Sequence, residues 1–181
     1  MSEAVYLKHM LILSRDLINK KVLSLRTNAP IAAIVRPIIN PNNLKIEGFY
    51  CQDRYSKNQL ILLVQDIRET LPAGYIVNDH DVLCQPEDLV RLKEVLTINY
   101  DPMGKQVESL SGEKIGKVHD YAGEIETMYI QKIYVAQPLY KNFSGGSLII
   151  DRSQINEITP KRIIINDNLE AVPVQAKASI I

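Results

Sequence analysis

The apolar residues of this chain recur in short alternating runs rather than at helical spacing. The runs are VLSL, AAIV, KIEGFYC, LILLV and GYIVN in the first half, and QVESL, IGKV, MYIQKIYV, SLIID and RIIIN in the second. β-Branched and aromatic residues dominate them, and turn-forming clusters such as Asn-Pro-Asn-Asn at 40–43 separate them. Alternation with a period of two indicates strands, so we expect a mainly β protein.

Helical periodicity is clear only in residues 86–96, PEDLVRLKEVL. Pro86 suits the first position of a helix, and two acidic residues follow it where the helix dipole is positive. Four apolar residues of the segment, Leu89, Leu92, Val95 and Leu96, share one helical face. The pattern therefore predicts a helix over 86–96. A shorter helical turn is predicted over 14–20, with Ser14 as its N-cap.

A repeat runs through the whole chain. Residues 70–79, TLPAGYIVND, and residues 158–167, ITPKRIIIND, share the spacing Pro-x-x-x-Ile-x-Asn-Asp, at an offset of 88. Upstream, KKVLSL at 20–25 matches KQVESL at 105–110 at an offset of 85, and residues 31–52 match 115–136 at an offset of 84. The offset changes only in predicted loops, which tolerate insertion. We conclude that two diverged copies stand in tandem.

The strand pattern and the repeat together predict two small antiparallel β-barrels. The first copy spans 11–85, a linker helix spans 86–96, the second copy spans 97–168, and a tail spans 169–181. Short strands spaced over 70 to 75 residues in each copy are typical of a small barrel or sandwich. The tail is either a frayed end or an added edge strand.

The repeated ending has a structural and a functional interpretation. Proline before the last strand suits a loop or a sheet edge, and the Asn-Asp pair behind it is favourable turn chemistry. Asp79 and His80 would also suit a metal or an acid–base site. In the second copy, however, Asp167 is followed by Asn168. We therefore favour a strand-end cap over a catalytic role for His80.

Composition excludes several classes of protein. Lys plus Arg equals Asp plus Glu at 21 each, so the chain lacks the basic excess of a sequence-independent nucleic-acid binder. Cys51 and Cys84 have no second Cys or His at zinc-site spacing, and they are expected to be small apolar residues in a reducing compartment. The four-residue apolar run at the N-terminus is too short for a signal-peptide core, and the longest uncharged runs fall far below the roughly 20 residues of a membrane span, so a cytoplasmic location is expected.

Candidate chemistry is sparse. His119-Asp120 aligns with Val35-Arg36, which favours an ordinary strand-end pair over a catalytic one. Tyrosine is frequent, with nine Tyr against two Phe and no Trp. The second copy places three aromatic residues and one cation in predicted turns, and these are the candidate partner-binding residues: Tyr121, Tyr140, Lys141 and Phe143. An exposed aromatic ring beside a cation can anchor a partner; the alternative is that the rings close the mouth of the barrel.

The openings of both copies resemble the PRC-barrel family. The matching motifs are Asp16 to Leu25 in the first copy, and Gly104-Lys105-x-Val107 with Gly112 to Val118 in the second. The first copy departs from the family pattern, because Asn19 and Ala32 stand where the second copy has Gly104 and Gly116. The resemblance implies a small β-barrel that binds partners. In that family it forms the cytoplasmic part of a photosynthetic reaction-centre subunit and the carboxy-terminal domain of a ribosome maturation factor; no functional residue carries over.

The expected function is a non-enzymatic cytoplasmic binding or adaptor module without a cofactor. Its two packed barrels would bind a protein or ribonucleoprotein partner, and a homo-oligomer is compatible with that role. The first alternative, a ribosome- or RNA-associated maturation factor, rests on the family resemblance. The second is an enzyme with an unrecognised site, for which a pocket lined by His119, Asp120 and Glu124 would be required.

Overall fold

The computed structural model describes residues 10–137 and 147–167, and its fold is mainly β with a curled, half-barrel sheet. Strand β1 is Leu11–Leu13. The other strands of the first half are β2 (Lys21–Ser24), β3 (Ala29–Asn40), β4 (Lys45–Asp53), β5 (Gln59–Leu63), β6 (Ile67–Leu71), β7 (Gly74–Val77) and β8 (Leu83–Cys84). Those of the second half are β9 (Gln106–Ser109), β10 (Lys114–Glu124), β11 (Ile130–Ala136), β12 (Ser147–Asp151), β13 (Ile155–Ile158) and β14 (Arg162–Ile165). The α-helices are α1 (Ser14–Leu17) and α2 (Lys93–Ile98). Short 3-10 turns lie at Val64–Asp66, His80–Val82, Pro86–Asp88, Val90–Leu92 and Arg152–Gln154.

The strands form two sheets, one for each half of the chain. The first sheet has the order β6-β7-β2-β3-β4-β5-β8, and the second has the order β12-β11-β10-β9-β14-β13 with β1 added beside β10. Among the paired strands of the described ranges, β2 with β7 and β9 with β14 run parallel and the other pairs run antiparallel. Every run predicted as a strand lies on an observed strand. The predicted tail 169–181 lies outside the described residues.

Each half of the chain sends a short segment onto the sheet of the other half. Strand β1 pairs with Ala122–Glu124 of β10, so the first residues of the first copy extend the second sheet. In the opposite direction, Tyr100 of the second half forms a β-bridge to Ile39 of β3. The two sheets are therefore interlocked and do not simply follow each other.

The hairpins β3–β4 and β10–β11 meet in an approximately two-fold arrangement. The amide of Ile46 donates to the carbonyl of Met128 at 2.7 Å, and the amide of Ile130 donates to the carbonyl of Leu44 at 2.8 Å. These four residues are two equivalent pairs at the repeat offset of 84. Leu44 and Met128 share a left-handed backbone, with φ of 55° and 56°. The repeat found in the sequence is thus also a repeat in backbone conformation and contacts.

The prediction that Ser14 caps a helix over 14–20 is wrong. Helix α1 ends at Leu17, its N-cap is Leu13, and no side chain caps it. The Ser14 hydroxyl instead donates to the Asp120 carboxylate across the two halves at 2.6 Å. At the equivalent position, the Arg36 guanidinium donates to the side-chain oxygen of Asn99 at 2.6 Å. Because the Ser14 hydroxyl donates to a carboxylate, this hydrogen bond is charge-assisted and stronger than the N-cap bond that was predicted.

The segment predicted as one helix over 86–96 is not continuous. It consists of the two 3-10 turns Pro86–Asp88 and Val90–Leu92, followed by α2. Leu89 separates the turns with φ of −91° and ψ of 65°. The predicted apolar face is nevertheless used, because it packs on the outer face of the first sheet. The cluster there comprises Ile38, Tyr50, Ile61 and Val95, with Leu63, Leu89, Leu92 and Leu96 against it.

One larger cluster of buried residues contains side chains from both sheets. Phe49 and Tyr75 stack within it at a centroid distance of 5.0 Å, and Val107, Ile133 and Ile163 contribute from the second half. Because the apolar surface that each sheet buries is in part the other sheet, the hydrophobic contribution to stability belongs to both halves together.

A core substitution in one sheet should therefore destabilise the other. Ile133 is fully buried in the second sheet. Replacing it with Ala should lower the free energy of unfolding by about 2–5 kcal/mol. Hydrogen exchange should show faster opening of the slowest amides in β3 and β4 as well as in β10 and β11. Unchanged exchange in β3 and β4 would show that the halves unfold independently.

Candidate functional site

The acidic end of the repeated motif ties together the two parallel strands of each copy. The buried Ser24 hydroxyl at the end of β2 donates to the Asp79 carboxylate behind β7 at 3.0 Å. In the second copy, Ser109 at the end of β9 hydrogen-bonds to the Asp167 carboxylate behind β14, which also accepts from the Ser111 amide at 2.9 Å. Both acids therefore act as strand-end caps.

The proline end of the motif has its own repeated contact. The Lys20 ammonium donates to the carbonyl of Pro72 at 3.2 Å, and the Lys105 ammonium donates to the carbonyl of Pro160. Lys20 and Lys105 are equivalent residues, as are the two prolines. We call these lysine and serine–aspartate contacts the strand clamps. They hold the two ends of each parallel strand pair, which explains why the motif occurs twice.

Hydrogen bonding lowers the pKa of both clamp carboxylates. For Asp79 the main cause is the His80 amide, with Ser24 and Arg26 adding to it against the opposing effect of burial. For Asp167 the main cause is the Ser111 amide. Each carboxylate is thus more easily ionised in the folded protein than in the unfolded chain.

Acid should weaken the clamps. A carboxylate with a depressed folded pKa stabilises the fold above its unfolded pKa of about 3.9, and the contribution is lost as pH falls through the folded pKa. The urea-unfolding free energy of the wild type should therefore fall more steeply below pH about 4 than that of Asp79→Asn or Asp167→Asn. The exposed Asp81 serves as the control, and Asp81→Asn should keep the wild-type slope. Equal slopes for all variants would contradict the role of the clamps.

A polar cluster beside the first clamp joins residues that are distant in sequence. The buried Asp53 carboxylate contacts His80 Nε2 at 2.8 Å and accepts from the Ser56 hydroxyl at 2.5 Å and the Ser56 amide at 2.7 Å. Burial alone would raise the pKa of Asp53, but these hydrogen bonds hold it well below its usual range. The hydroxyl is bonded to the carboxylate, whereas in a nucleophile–His–Asp relay it is bonded to the imidazole. The cluster therefore ties the β4–β5 turn to the segment behind β7.

The residues considered for an enzymatic pocket each engage a different partner. His119 Nε2 lies 2.7 Å from the Ser147 hydroxyl oxygen. Asp120 accepts from Ser14 across the two halves, as described above. Glu124 accepts from the Thr127 hydroxyl at 2.6 Å and from the Gln131 amide at 3.2 Å. Glu124 ends β10 and holds the turn behind it, whereas His119 and Asp120 lie within β10 and not at a strand end as the sequence indicated.

The candidate partner-binding residues are only partly covered by the structure. Tyr121 lies in the large core cluster with 3% of its surface exposed, and burial raises the pKa of its hydroxyl. Its ring therefore belongs to the interior and not to the surface of a turn. Tyr140, Lys141 and Phe143 lie outside the described residues.

A groove lies between residues 88–92 and the outer face of the first sheet. Its volume is about 570 Å³. Half-buried leucines line it, namely Leu63, Leu89 and Leu92. Charged side chains of both signs line it as well, namely Lys45, Glu47, Asp88 and Arg91. The groove combines an apolar surface with polar groups that can orient a bound molecule, as binding sites do.

Val90 makes this groove unlike the rest of the described surface. Its side chain is 79% exposed, the highest value among the large apolar residues of the described ranges. At the other side of the groove, the Lys45 ammonium lies 3.8 Å from Glu47 and 6.0 Å from the centroid of the Tyr129 ring of the second half. An exposed apolar side chain beside half-buried leucines is the arrangement from which interaction sites are built. The sequence did not predict this groove, because the apolar face of 86–96 indicated only a helix that packs against the rest of the protein.

Both cysteines remain protonated thiols at neutral pH. Burial raises the pKa of Cys51 to about 12. The pKa of the half-buried Cys84 is raised by burial and by the nearby carboxylates of Asp66 and Asp88. A protonated thiol is a poor nucleophile and a poor metal ligand. The structure thus gives both cysteines the character of small apolar residues.

Within residues 10–137 and 147–167, no group of three or more His, Cys, Asp or Glu side chains is placed to hold a metal ion. No helix in those ranges has the length and apolar character needed to cross a bilayer. No protein-family model matches the sequence, and a search among curated proteins gives no significant match.

Proposed function

We propose that this chain is a non-enzymatic cytoplasmic binding module of two PRC-barrel-like copies, which holds a short segment of a partner protein in the groove beside residues 88–92. The observation that carries the proposal is the highly exposed Val90 above a groove lined by half-buried leucines. A cleft that combines apolar lining with a few polar groups is the usual form of a binding site, and the exposed Val90 extends its apolar surface to the solvent.

The repeat on which the proposal rests is supported by the backbone at one of the two positions where the first copy departs from the pattern. Asn19 has φ of 60°, and its equivalent Gly104 has φ of 74°. Asparagine is among the residues that tolerate this left-handed region, so the substitution keeps the turn. At Gly116 an added Cβ would lie 2.1 Å from the Ala136 carbonyl, which explains the glycine in the second copy. The shared left-handed turn supports the duplication, and the PRC-barrel assignment itself rests on the motifs of the sequence.

The charges in the groove favour a protein segment over RNA. Lys45 and Arg91 alternate with Glu47 and Asp88 around the same cleft. An RNA backbone presents continuous negative charge and would meet the two acids as well as the two bases. A protein segment can place an acidic and a basic residue on either side of an apolar anchor and match both signs. The groove volume of about 570 Å³ lies within the range of about 300–1,000 Å³ that is typical of ligand pockets, so it has room for apolar side chains of such a segment.

A charge introduced at Val90 should abolish this binding. We would capture partners from native lysate at physiological salt with the wild type, with Val90→Lys and with Val35→Lys. Val35 is an exposed valine of β3 and is 42% exposed, so Val35→Lys is a matched control. The expected result is a protein recovered with the wild type and Val35→Lys, lost with Val90→Lys, and cross-linked to Lys45 or Lys93.

The same experiment separates the alternatives. Recovery that is lost on ribonuclease treatment would overturn the proposal in favour of an RNA-associated factor. Recovery of the same proteins in the same amounts with Val90→Lys would show that the groove is not the binding site. The fold of each variant is checked by its melting temperature, which should match the wild type because both valines are exposed.

A further inference from the structure

The repeat extends further toward the N-terminus than the strand pattern shows. Residues 4–13, AVYLKHMLIL, align without a gap with residues 89–98, LVRLKEVLTI, at the same offset of 85 that relates 20–25 to 105–110. Four positions are identical in this window: Val5 with Val90, Leu7 with Leu92, Lys8 with Lys93 and Leu11 with Leu96. The segment before β9 is thus the opening element of the second copy, and the first copy has a counterpart to it at residues 4–10.

The segment of the second copy shows where this opening element packs. Residues 89–96 cover the outer face of the first sheet, where Val95 is 8% exposed over Ile38, Tyr50 and Ile61. Tyr50 and Ile61 are register partners on neighbouring strands β4 and β5. An equivalent segment on the second sheet would therefore cover the counterparts of Tyr50 and Ile61.

The equivalent place on the second sheet lacks such a cover among the described residues. Tyr50 corresponds to Tyr134 and Ile61 to Ile149, and these two are register partners on β11 and β12. Both are only half-buried, and neither belongs to either core cluster. Within the described ranges, the second sheet therefore presents the same apolar pair as the first, and no segment there takes the place of 89–96.

The chain reaches this sheet at the start of the described residues. The amide of Ile125 donates to the carbonyl of Met10 at 3.1 Å, and β1 follows along the sheet. The counterpart of Ile125 is Pro41, which has no N–H, so the second copy cannot form this bond and has a helix where the first has a strand. Met10 is 42% exposed. Met10 thus does not supply the apolar contact that its counterpart Val95 makes on the first sheet.

We infer that residues 4–9 bind the outer face of the second sheet over Tyr134 and Ile149, with Leu7 in the role that Leu92 has on the first sheet. The occupant of this face is the chain's own N-terminal segment. Burial of Leu7 against the tyrosine ring and Ile149 provides the driving force. The inference rests on the repeat and on the two sheets, and it is independent of the groove at Val90.

Photo-cross-linking tests the inference directly. Benzoylphenylalanine would be placed at position 7 in the full chain, and at position 5 as the control, because the counterpart Val90 is 79% exposed whereas Leu92 packs against the cluster on its sheet. The expected result is an intramolecular cross-link from position 7 to peptides of β11 or β12, absent or much weaker from position 5. Equal labelling from both positions, cross-links to other strands, or cross-links only between two chains would overturn the inference.

Hydrogen exchange gives a second readout with a matched control. Leu7→Ser should accelerate exchange of β12 amides about tenfold, the loss expected when one leucine no longer covers them. Leu92→Ser should do the same to β5. Acceleration in β5 for Leu92→Ser without any change in β12 for Leu7→Ser would overturn the inference. Loss of partner capture at Val90 has no bearing on either readout, so the two proposals fail separately.

Discussion

The fold depends on the exchange of backbone hydrogen bonds between the two hairpin tips. Ile46 donates to Met128 and Ile130 donates to Leu44, and both acceptor residues are buried in the left-handed conformation. Two buried backbone groups in each tip are satisfied only by the other tip, and leaving them unpaired would be costly. This contact fixes the approximate two-fold relation, and with it the shared core, the exchanged opening segments and the position of the groove.

The distinction between repeated and unrepeated positions separates structure from candidate function. Lys20, Ser24 and Asp79 have counterparts that make the same contacts in the second copy, so their chemistry is structural. The groove combines both kinds of position: Val90 and Leu92 have identical counterparts in Val5 and Leu7, whereas its sheet side has diverged. Leu63 and Lys45 line it, and the equivalent residues are Asp151 and Tyr129, which have a different chemical character. A binding site that arose after duplication is expected where the two copies have diverged in this way.

Much of the architecture could be predicted from the sequence, because strands with one buried face leave a period of two in the apolar pattern. The edge strands β6 and β13 were missed, since their middle residues are polar and exposed and hide that pattern. The contact between Asp53 and His80 could not be predicted, because 27 residues separate them and only the fold brings them together. The Asn-Asp pair could be predicted to be a strand-end cap, because His80 follows it in the first copy but Asn168 follows it in the second, so that only the Asn-Asp pair itself is repeated. The groove could not, since its shape depends on two 3-10 turns that replace the expected helix.

The two halves of the chain form one structure around one shared core. Expressing residues 1–85 and 86–181 as separate chains tests it most directly, with amide NMR spectra recorded for each fragment alone and for the mixture. The account predicts poorly dispersed spectra for each fragment and the dispersed spectrum of the intact protein when both are present. A fragment that alone gives a well-dispersed spectrum and a cooperative thermal transition would contradict it, because that half would then have a sufficient core of its own.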